Sequence, residues 1–182
     1  MFDYREAIVA DAPALGALHV ACWREAYAGL LPESLLLGLS SEGRAEMWRA
    51  VLDAPASFDG TKVFVAEGSG AMIGFGACCD QRDPALAGKG FDGEIGAVYV
   101  LRAHQRNGVG ARLMALQARD LLERGRGAAS LWVLRDNAPA RCFYEALGGE
   151  LCAERVEAEL VEVAYGWRDL SRLAAVAGGE GR

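Results

Sequence analysis

The stretch "HQRNGVGARLMALQ", residues 104–117, places two glycines directly before an amphipathic helical pattern. Glycine weakens helix initiation, so Gly108 and Gly110 need another reason to stand there. The start of a helix exposes unpaired backbone N–H groups and carries roughly half a positive charge, which attracts anions. Without side chains at these two positions, an anion can touch the backbone itself. The stretch therefore predicts a phosphate-binding turn at the start of a helix.

The spacing separates this turn from two other phosphate motifs. A P-loop requires Gly-Lys-Ser/Thr, and no lysine follows Gly110. A dinucleotide fingerprint requires a third glycine where this chain has Leu113. The pattern that remains is Q-x-x-G-x-G, formed by Gln105, Gly108 and Gly110. Taken alone, this hexamer is also compatible with a tight turn that binds nothing.

Composition and charge limit the class of protein. The chain has 182 residues, a length that suits one domain with its own core. With 52% hydrophobic and 24% charged residues, it has the balance of a soluble globular protein. A net charge of −6 argues against a nucleic-acid partner, because phosphate backbones require a surface dense in Lys and Arg. No apolar run is long enough for a bilayer and the charged start does not resemble a signal peptide, so we expect a cytoplasmic protein without a membrane partner.

The five cysteines are odd in number and lack the paired spacing of a zinc site. Adjacent cysteines in a strand point to opposite faces, so a disulfide between Cys78 and Cys79 is not expected. We predict small buried hydrophobic residues in a reducing compartment, and no metal site. The set comprises Cys22, Cys78, Cys79, Cys142 and Cys152.

Hydrophobic periodicity and turn residues predict one domain of alternating strands and helices over residues 1–175, with a flexible tail at 176–182. Strands are predicted at residues 2–8, 61–67, 71–79, 94–101, 130–134, 150–157 and 160–167. Helices are predicted at residues 12–28, 32–39, 41–52, 108–125 and 138–147, with a short helix after the last strand. Residues 81–93 are predicted as a loop, and Asp11 as the N-cap of the first helix.

Two segments, "IGAVYVLRAHQRNGVGARLMALQARDLLERG" (95–125) and "ASLWVLRDNAPARCFYEALGG" (129–149), carry a family resemblance. Together they resemble the acetyl-CoA-binding core of the GNAT superfamily of N-acetyltransferases over about residues 93–149. The resemblance implies an α/β (α+β) fold, the GNAT acyl-CoA N-acyltransferase fold. Its central sheet is mixed and mostly antiparallel, has about seven strands flanked by helices, and is splayed between the 94–101 and 130–134 strands. Residues 19–36 and 161–170 are similar to a bacterial subgroup of the family.

This resemblance implies acetyl-CoA as the cofactor and the transfer of its acetyl group to a primary amine by direct attack in a ternary complex. The amine would belong to a small molecule, a protein N-terminus or a lysine. The main chain of Val98, Tyr99 and Val100 would pair with the pantetheine arm, and backbone amides from Arg106 to Ala111 would hold the pyrophosphate. The full expected cofactor site comprises Val98, Tyr99, Val100, Gln105, Arg106, Asn107, Gly108, Val109, Gly110, Ala111, Asn137 and Tyr144.

Two polar residues of the second segment have expected roles. Asn137 lies where the family has an asparagine that contacts the cofactor, although it also suits the N-cap of the helix that begins at Ala138. Tyr144 follows seven residues later, two helical turns along the same face, where the family's tyrosine reaches the thioester sulfur. A phenol with a pKa of about 10 can protonate a leaving thiolate. Tyr144 is therefore the expected general acid, with packing beside Phe143 as the alternative.

The general base is less well defined. Glu94 begins the cofactor-binding strand and has the same parity as Gly96, Val98 and Val100, which would let it face the substrate cleft. Its alternative is a solvated or paired strand-end carboxylate. By pKa, His19 and His104 are rival bases.

The helices near the start contain aromatic residues that would border the acceptor site in this family. Trp23 and Tyr27 are the expected substrate contacts, and Trp48 is a third candidate; packing in the core is the alternative for all three. Trp167 leaves two possibilities open, a dimer surface or the core. The family usually has an aromatic residue after Leu-Gly, where this chain has Gly149, so the last strands are expected to enter differently.

Two further questions concern function and assembly. The alternative to an enzyme is a non-catalytic acyl-CoA sensor or assembly module on the same fold. An intact phosphate turn together with Asn137 and Tyr144 favours the enzyme, because a sensor needs no proton donor at the sulfur. A homodimer is left open as the assembly.

Overall fold

The computed structural model describes residues 2–176, so the tail predicted at 176–182 lies outside it except for Val176. The seven strands are β1 Asp3–Glu6, β2 Lys62–Gly68, β3 Ala71–Asp80, β4 Gly93–Val100, β5 Ala129–Leu134, β6 Glu150–Glu157 and β7 Leu160–Trp167. The helices are α1 Ala12–Ala26, α2 Glu33–Leu37, α3 Ser41–Asp53, α4 Pro84–Ala87, α5 Val109–Glu123, α6 Ala138–Ala146 and α7 Leu170–Ala174. No helix within residues 2–176 has the length and apolar character that a membrane span needs.

All seven strands form one mixed sheet in the order β1-β2-β3-β4-β5-β7-β6. Neighbouring strands are antiparallel except β4 and β5, which are parallel. The β4–β5 ladder has only two residue pairs, Gly93 with Ala129 and Glu94 with Ser130. Beyond these pairs the two strands separate, which leaves one edge of β4 open. The predicted sheet and its splay between the 94–101 and 130–134 strands are confirmed.

Hydrophobic residues bury both faces of the sheet, as the apolar sequence of β4 predicts. On one face, α1 and α3 pack on β2 and β3, and Ala97 and Tyr99 of β4 contribute to this cluster. On the other face, α5, α6 and α7 form the larger core, and Val98 and Val100 pack against it. The middle strand β4 therefore connects the two cores and presents its open edge between them.

A β-bulge at Gly96 changes which way the side chains of β4 point. Ala77 of β3 pairs with Ala97, but the next residue, Cys78, pairs with Ile95, so Gly96 is an extra residue in the ladder. An extra residue shifts the alternation of faces by one. Glu94 therefore shares its face with Ala97, and the prediction that it faces the same side of the sheet as Val98 and Val100 is wrong.

The observed elements differ from the predicted ones by at most two residues at their ends, and the following differences affect local structure. The predicted loop 81–93 contains the short helix α4, which Asp83 caps by accepting a hydrogen bond from Ala85 N at 2.8 Å. Helix α1 ends at Ala26 rather than at residue 28. Asp11 does not cap α1 through its side chain; it instead accepts hydrogen bonds from Ile8 N at 2.8 Å and from Arg5, and it closes the 3-10 turn Val9–Asp11.

Trp167 belongs to the core, which decides between the two possibilities left open by the sequence. It is 4% exposed and donates a hydrogen bond from Nε1 to Leu147 O at 2.9 Å. A Cβ placed on Gly149 would lie 2.7 Å from the Trp167 ring. The indole therefore occupies the space next to Gly149, which explains why no side chain stands at that position.

The cysteines follow the prediction only in part. Cys22, Cys78 and Cys79 are buried, and all five thiols are free. Cys142 is exposed and Cys152 is half-buried, so the prediction of buried hydrophobic residues is wrong for Cys142. Cys142 lies on α6, whose core-facing side is formed by its neighbours Phe143 and Tyr144.

Candidate active site

The open edge of β4 presents the main chain of alternate residues. Leu101 N donates to Ile73 O of β3 at 2.9 Å. Hydrogen-bonded pairs alternate along an antiparallel ladder, so Tyr99 directs its main-chain groups to β3 while Val98 and Val100 direct theirs to the gap beside β5. The prediction for the pantetheine arm is therefore corrected: β3 occupies the main chain of Tyr99, Val98 offers its N–H and C=O, and Val100 offers its N–H, because Gln105 Nε2 already donates to Val100 O.

The phosphate turn, residues 105–111, follows this edge and leads into α5. Gly108 is the N-cap of α5 with φ of 79°, and Arg106 has φ of 64°. A left-handed residue before the helix turns the chain so that successive N–H groups point to one side. None of the six backbone N–H groups from Arg106 to Ala111 donates a hydrogen bond to any residue of the described range 2–176.

Side chains within the phosphate turn stabilise its shape. Gln105 donates from Nε2 to Val100 O at 3.0 Å, which connects the turn to the end of β4. Asn107 donates from Nδ2 to Gln105 O at 3.1 Å. These two predicted cofactor residues therefore use their side chains within the protein, and what they can offer a ligand is their main chain.

Tyr144 lies in the larger core on α6, 9% exposed, with its ring near those of Phe143 and Trp167. In residues 2–176 its hydroxyl has no hydrogen-bond partner, although the oxygen is not sealed from solvent. Burial, and secondarily the phenol of Tyr27, raise the pKa of Tyr144 above its usual value. The phenol therefore holds its proton throughout the physiological pH range, and it is a weaker acid than an exposed tyrosine.

Asn137 is the N-cap of α6, as one of its two expected roles requires. Its Oδ1 accepts a hydrogen bond from Ala140 N at 3.3 Å, and the residue is 8% exposed. Nδ2 makes no hydrogen bond within the described part of the chain. The cap uses only the acceptor of the amide, so the donor is available for a second partner.

Glu94, the expected base, is paired with an arginine that the sequence analysis did not single out. One carboxylate oxygen accepts from Arg82 NH2, and the other accepts from both Arg82 Nε and Arg82 N at 3.2 Å. Glu94 is mostly buried, with 13% side-chain exposure, while Arg82 is half exposed at 51%. To accept a proton from a substrate, Glu94 would first have to exchange this partner.

The two histidines do not replace Glu94 as a base. His19 is 6% exposed, and its Nδ1 accepts a hydrogen bond from Trp48 Nε1 at 3.1 Å. Burial, followed by the charge of Arg44, lowers the pKa of His19 to about 4, so the imidazole is neutral and structural at pH 7. His104 packs edge-on against Phe2 before β1, with ring centroids 6.2 Å apart.

The buried state of His19 predicts a pH dependence of stability. Above the ordinary histidine pKa of about 6.5, the neutral His19 side chain contributes fully to the free energy of unfolding. This contribution is lost as the pH falls towards 4, because in that range only the unfolded chain binds a proton at His19. Between pH 7 and 5 we expect wild type to lose about 2 kcal/mol more than His19→Gln, which retains an acceptor for Trp48. Urea unfolding at both pH values measures this difference; equal losses would contradict it.

Aromatic residues from α1 meet β4 on the face opposite α5. Tyr27 follows α1 directly, and its hydroxyl lies 3.0 Å from that of Tyr99. The Trp23 ring packs edge-on against Tyr27, and the guanidinium of Arg44 lies over the Trp23 ring. Trp48 is buried in the core beside His19 and Phe75. The side chain of Tyr99 joins this group, a contribution that the sequence analysis missed because it considered only the main chain of Tyr99.

Comparison with known families agrees with this geometry. Residues 22–149 match the family model described as the acetyltransferase (GNAT) family. The uncharacterized N-acetyltransferase YuaI of Bacillus subtilis is 34% identical over 178 residues, which cover 95% of this chain and 96% of that protein. The match thus extends over nearly the whole of both chains.

Two solved structures share the fold. The PaiA N-acetyltransferase from Thermoplasma acidophilum, crystallised with coenzyme A, has a TM-score of 0.75 and 17% identity, covering 92% of this chain and 99% of that one. The putative acetyltransferase YncA from Salmonella typhimurium, with acetyl-CoA, has a TM-score of 0.67 and 19% identity, covering 99% of each chain. At these identities the likeness concerns the arrangement of strands and helices.

Proposed function

The chain belongs to the acetyltransferase (GNAT) family and is an acyltransferase that uses acetyl-CoA, and on this premise we propose that it acetylates a primary amine by direct attack in a ternary complex. The amine belongs to a small molecule or to a protein N-terminus or lysine. We take residues 1–175 as the one catalytic domain. The five free thiols are consistent with a protein that functions in the reducing cytoplasm. A homodimer remains a prediction.

One observation carries the proposal: six consecutive backbone amides that donate to no residue of the described range 2–176 follow a strand edge that is unpaired beyond Glu94. Amides at a helix start suit a diphosphate, and the main chain of Val98 together with the N–H of Val100 suits the amide groups of a pantetheine arm. The residues present therefore fit coenzyme A. Nδ2 of Asn137 offers one further donor near the start of α6.

The chemistry requires a neutral amine and a proton for the leaving sulfur. An alkylammonium group has a pKa of about 10.4, so it must first give one proton to a base, and Glu94 is the proposed acceptor. Acetyl-CoA supplies an acetyl group activated as a thioester. The N–C bond forms as the C–S bond breaks, and the electron pair of that bond leaves on sulfur. The phenol of Tyr144 gives its proton to the sulfur and recovers one from the nitrogen, so one proton is released overall.

The environment of Tyr144 decides how it contributes. Because burial raises its pKa, complete proton transfer to a thiolate of pKa about 8.5 is less favourable than from an exposed phenol. A hydrogen bond from Oη that strengthens as charge develops on sulfur therefore stabilises the leaving group before the proton is transferred. Membership of the acetyltransferase (GNAT) family favours an enzyme over a non-catalytic acyl-CoA sensor.

Release of free thiol from acetyl-CoA, followed against a panel of amines, tests this function. The panel includes alkylamines, polyamines, amino acids, lysine peptides and peptides with free N-termini. We expect at least one class to raise thiol release well above hydrolysis, with the acetylated amine seen by mass spectrometry. Thiol release that no amine accelerates would contradict the proposal.

A further inference from the structure

A cavity of ≈ 270 Å³ lies between α3 and the bulged part of β3 and β4. Its apolar wall consists of Met47, Trp48, Val51, Phe58, Ala77 and Ala97. Ligand pockets for drug-sized molecules span about 300–1,000 Å³, so this cavity suits a molecule no larger than a single amino acid. An apolar group of that size is the expected occupant.

Two charged residues line this cavity, Asp59 and Arg82, and Arg82 lies next to the point where β4 and β5 separate. Arg82 lines the cavity together with Gly96, and a Cβ on Gly96 would lie 3.4 Å from Arg82 NH2. The absent side chain at the bulge therefore lets the guanidinium lie across β4. The partner of Arg82, Glu94, lies two residues before Gly96 and forms the last pair of the β4–β5 ladder with Ser130.

The ion pair between Arg82 and Glu94 can exchange partners. Arg82 is half exposed, so an incoming anion reaches its guanidinium without unfolding the site. A guanidinium binds a carboxylate through two parallel hydrogen bonds, a geometry that a substrate carboxylate reproduces. Once the Arg82 side chain turns to another carboxylate, Glu94 Oε1 loses its partner and Oε2 retains only the hydrogen bond from Arg82 N.

We propose that the acceptor is a free α-amino acid with an apolar side chain, bound by its carboxylate to Arg82 and by its side chain in the cavity. This inference rests on the proposed function. The α-ammonium group is one carbon away from the carboxylate, so binding to Arg82 brings it beside Glu94. The exchange of partners that recognises the substrate thereby frees Glu94 to accept one proton from the ammonium group. The neutral nitrogen then attacks the thioester of acetyl-CoA as the nucleophile.

Pairs of amines that differ only in the carboxylate test the proposal. Methionine is compared with 3-(methylthio)propylamine, and leucine with 3-methylbutylamine, by kcat/KM for thiol release. We expect wild type to prefer each amino acid at least 20-fold. Arg82→Gln is expected to lower the ratio of kcat/KM for the amino acid to kcat/KM for its matched amine at least tenfold, because this ratio isolates the contact of Arg82 with the carboxylate from its pairing with Glu94. Calorimetry of methionine with the coenzyme A-loaded protein is expected to show binding that Arg82→Gln abolishes.

A matched arginine controls for the removal of positive charge. Arg126→Gln removes a guanidinium that pairs with Asp80 at 2.8 Å and does not line the cavity, and it is expected to retain the preference. If Arg82→Gln does not fold, Arg82→Lys serves instead, because it retains the charge and loses the double hydrogen bond; we expect a three- to tenfold loss confined to amino acids.

The outcomes separate this inference from the function on which it rests. Equal use of amino acids and their matched amines, or a preference that survives in the Arg82 variant, would overturn it. Turnover of peptides or other amines but not of amino acids would also overturn it, and would leave the acetyltransferase function intact. Absence of coenzyme A binding and of all turnover would instead reject the proposed function itself.

Discussion

Gly110→Pro is expected to bind coenzyme A about 10- to 100-fold more weakly than Gly110→Ala. Proline removes the N–H of residue 110, one of the six amides without a protein partner, and alanine retains it. A hydrogen bond to a charged group contributes about 1.5–3 kcal/mol, which corresponds to this range of affinity. The loss follows only if the main chain of the phosphate turn holds the diphosphate.

The chain itself indicates that proline is tolerated at this position. Gly110 is the second residue of α5, and Pro13 and Pro139 are the second residues of α1 and α6. A Cβ at residue 110 lies 3.1 Å from the end of the Phe143 ring, and both variants add it, so its cost is common to them. Isothermal titration with coenzyme A measures the difference. Affinities within twofold of each other would show that this amide does not contact the ligand.

Tyr144→Phe is expected to lower kcat about 10- to 100-fold while changing the free energy of unfolding by less than about 1 kcal/mol. The two effects separate because the hydroxyl has no partner in the described residues, so its removal breaks no protein hydrogen bond. Catalysis suffers because the proton at Oη no longer reaches the leaving sulfur. Binding of coenzyme A is expected to change little.

Steady-state kinetics and urea unfolding of this variant provide the measurement. Tyr165→Phe is the matched control, because its ring packs 6.1 Å from that of Tyr144 while its hydroxyl pairs with Glu145 and Arg141. We expect this control to lose stability and to retain kcat. An unchanged kcat in Tyr144→Phe would remove Tyr144 from the mechanism.

The parts of the site that follow from local sequence were predictable. The glycine spacing locates the phosphate turn, because only a left-handed residue and a bare helix start leave so many amides unpaired. All seven strands lie within two residues of their predicted bounds. Hairpin turns and apolar alternation are properties of neighbouring residues and need no knowledge of the fold.

The orientation of Glu94 was not predictable from alternation. A period of two assumes an unbroken ladder, and the bulge adds a residue between Glu94 and the rest of β4. The available signal was Gly96 itself, since glycine inside a strand often marks a bulge. Contacts between distant segments, such as those of Arg82 with Glu94 and of Tyr27 with Tyr99, depend on how the loop and α1 close over the sheet, and no local pattern specifies them.

A crystal structure of the chain with coenzyme A is the most direct test of the central claim. We expect the pyrophosphate to lie within hydrogen-bond distance of the backbone N–H groups of residues 106–111, and the pantetheine arm to lie along Val98 and Val100. Coenzyme A bound elsewhere, or a phosphate turn whose amides remain without ligand at saturation, would contradict it.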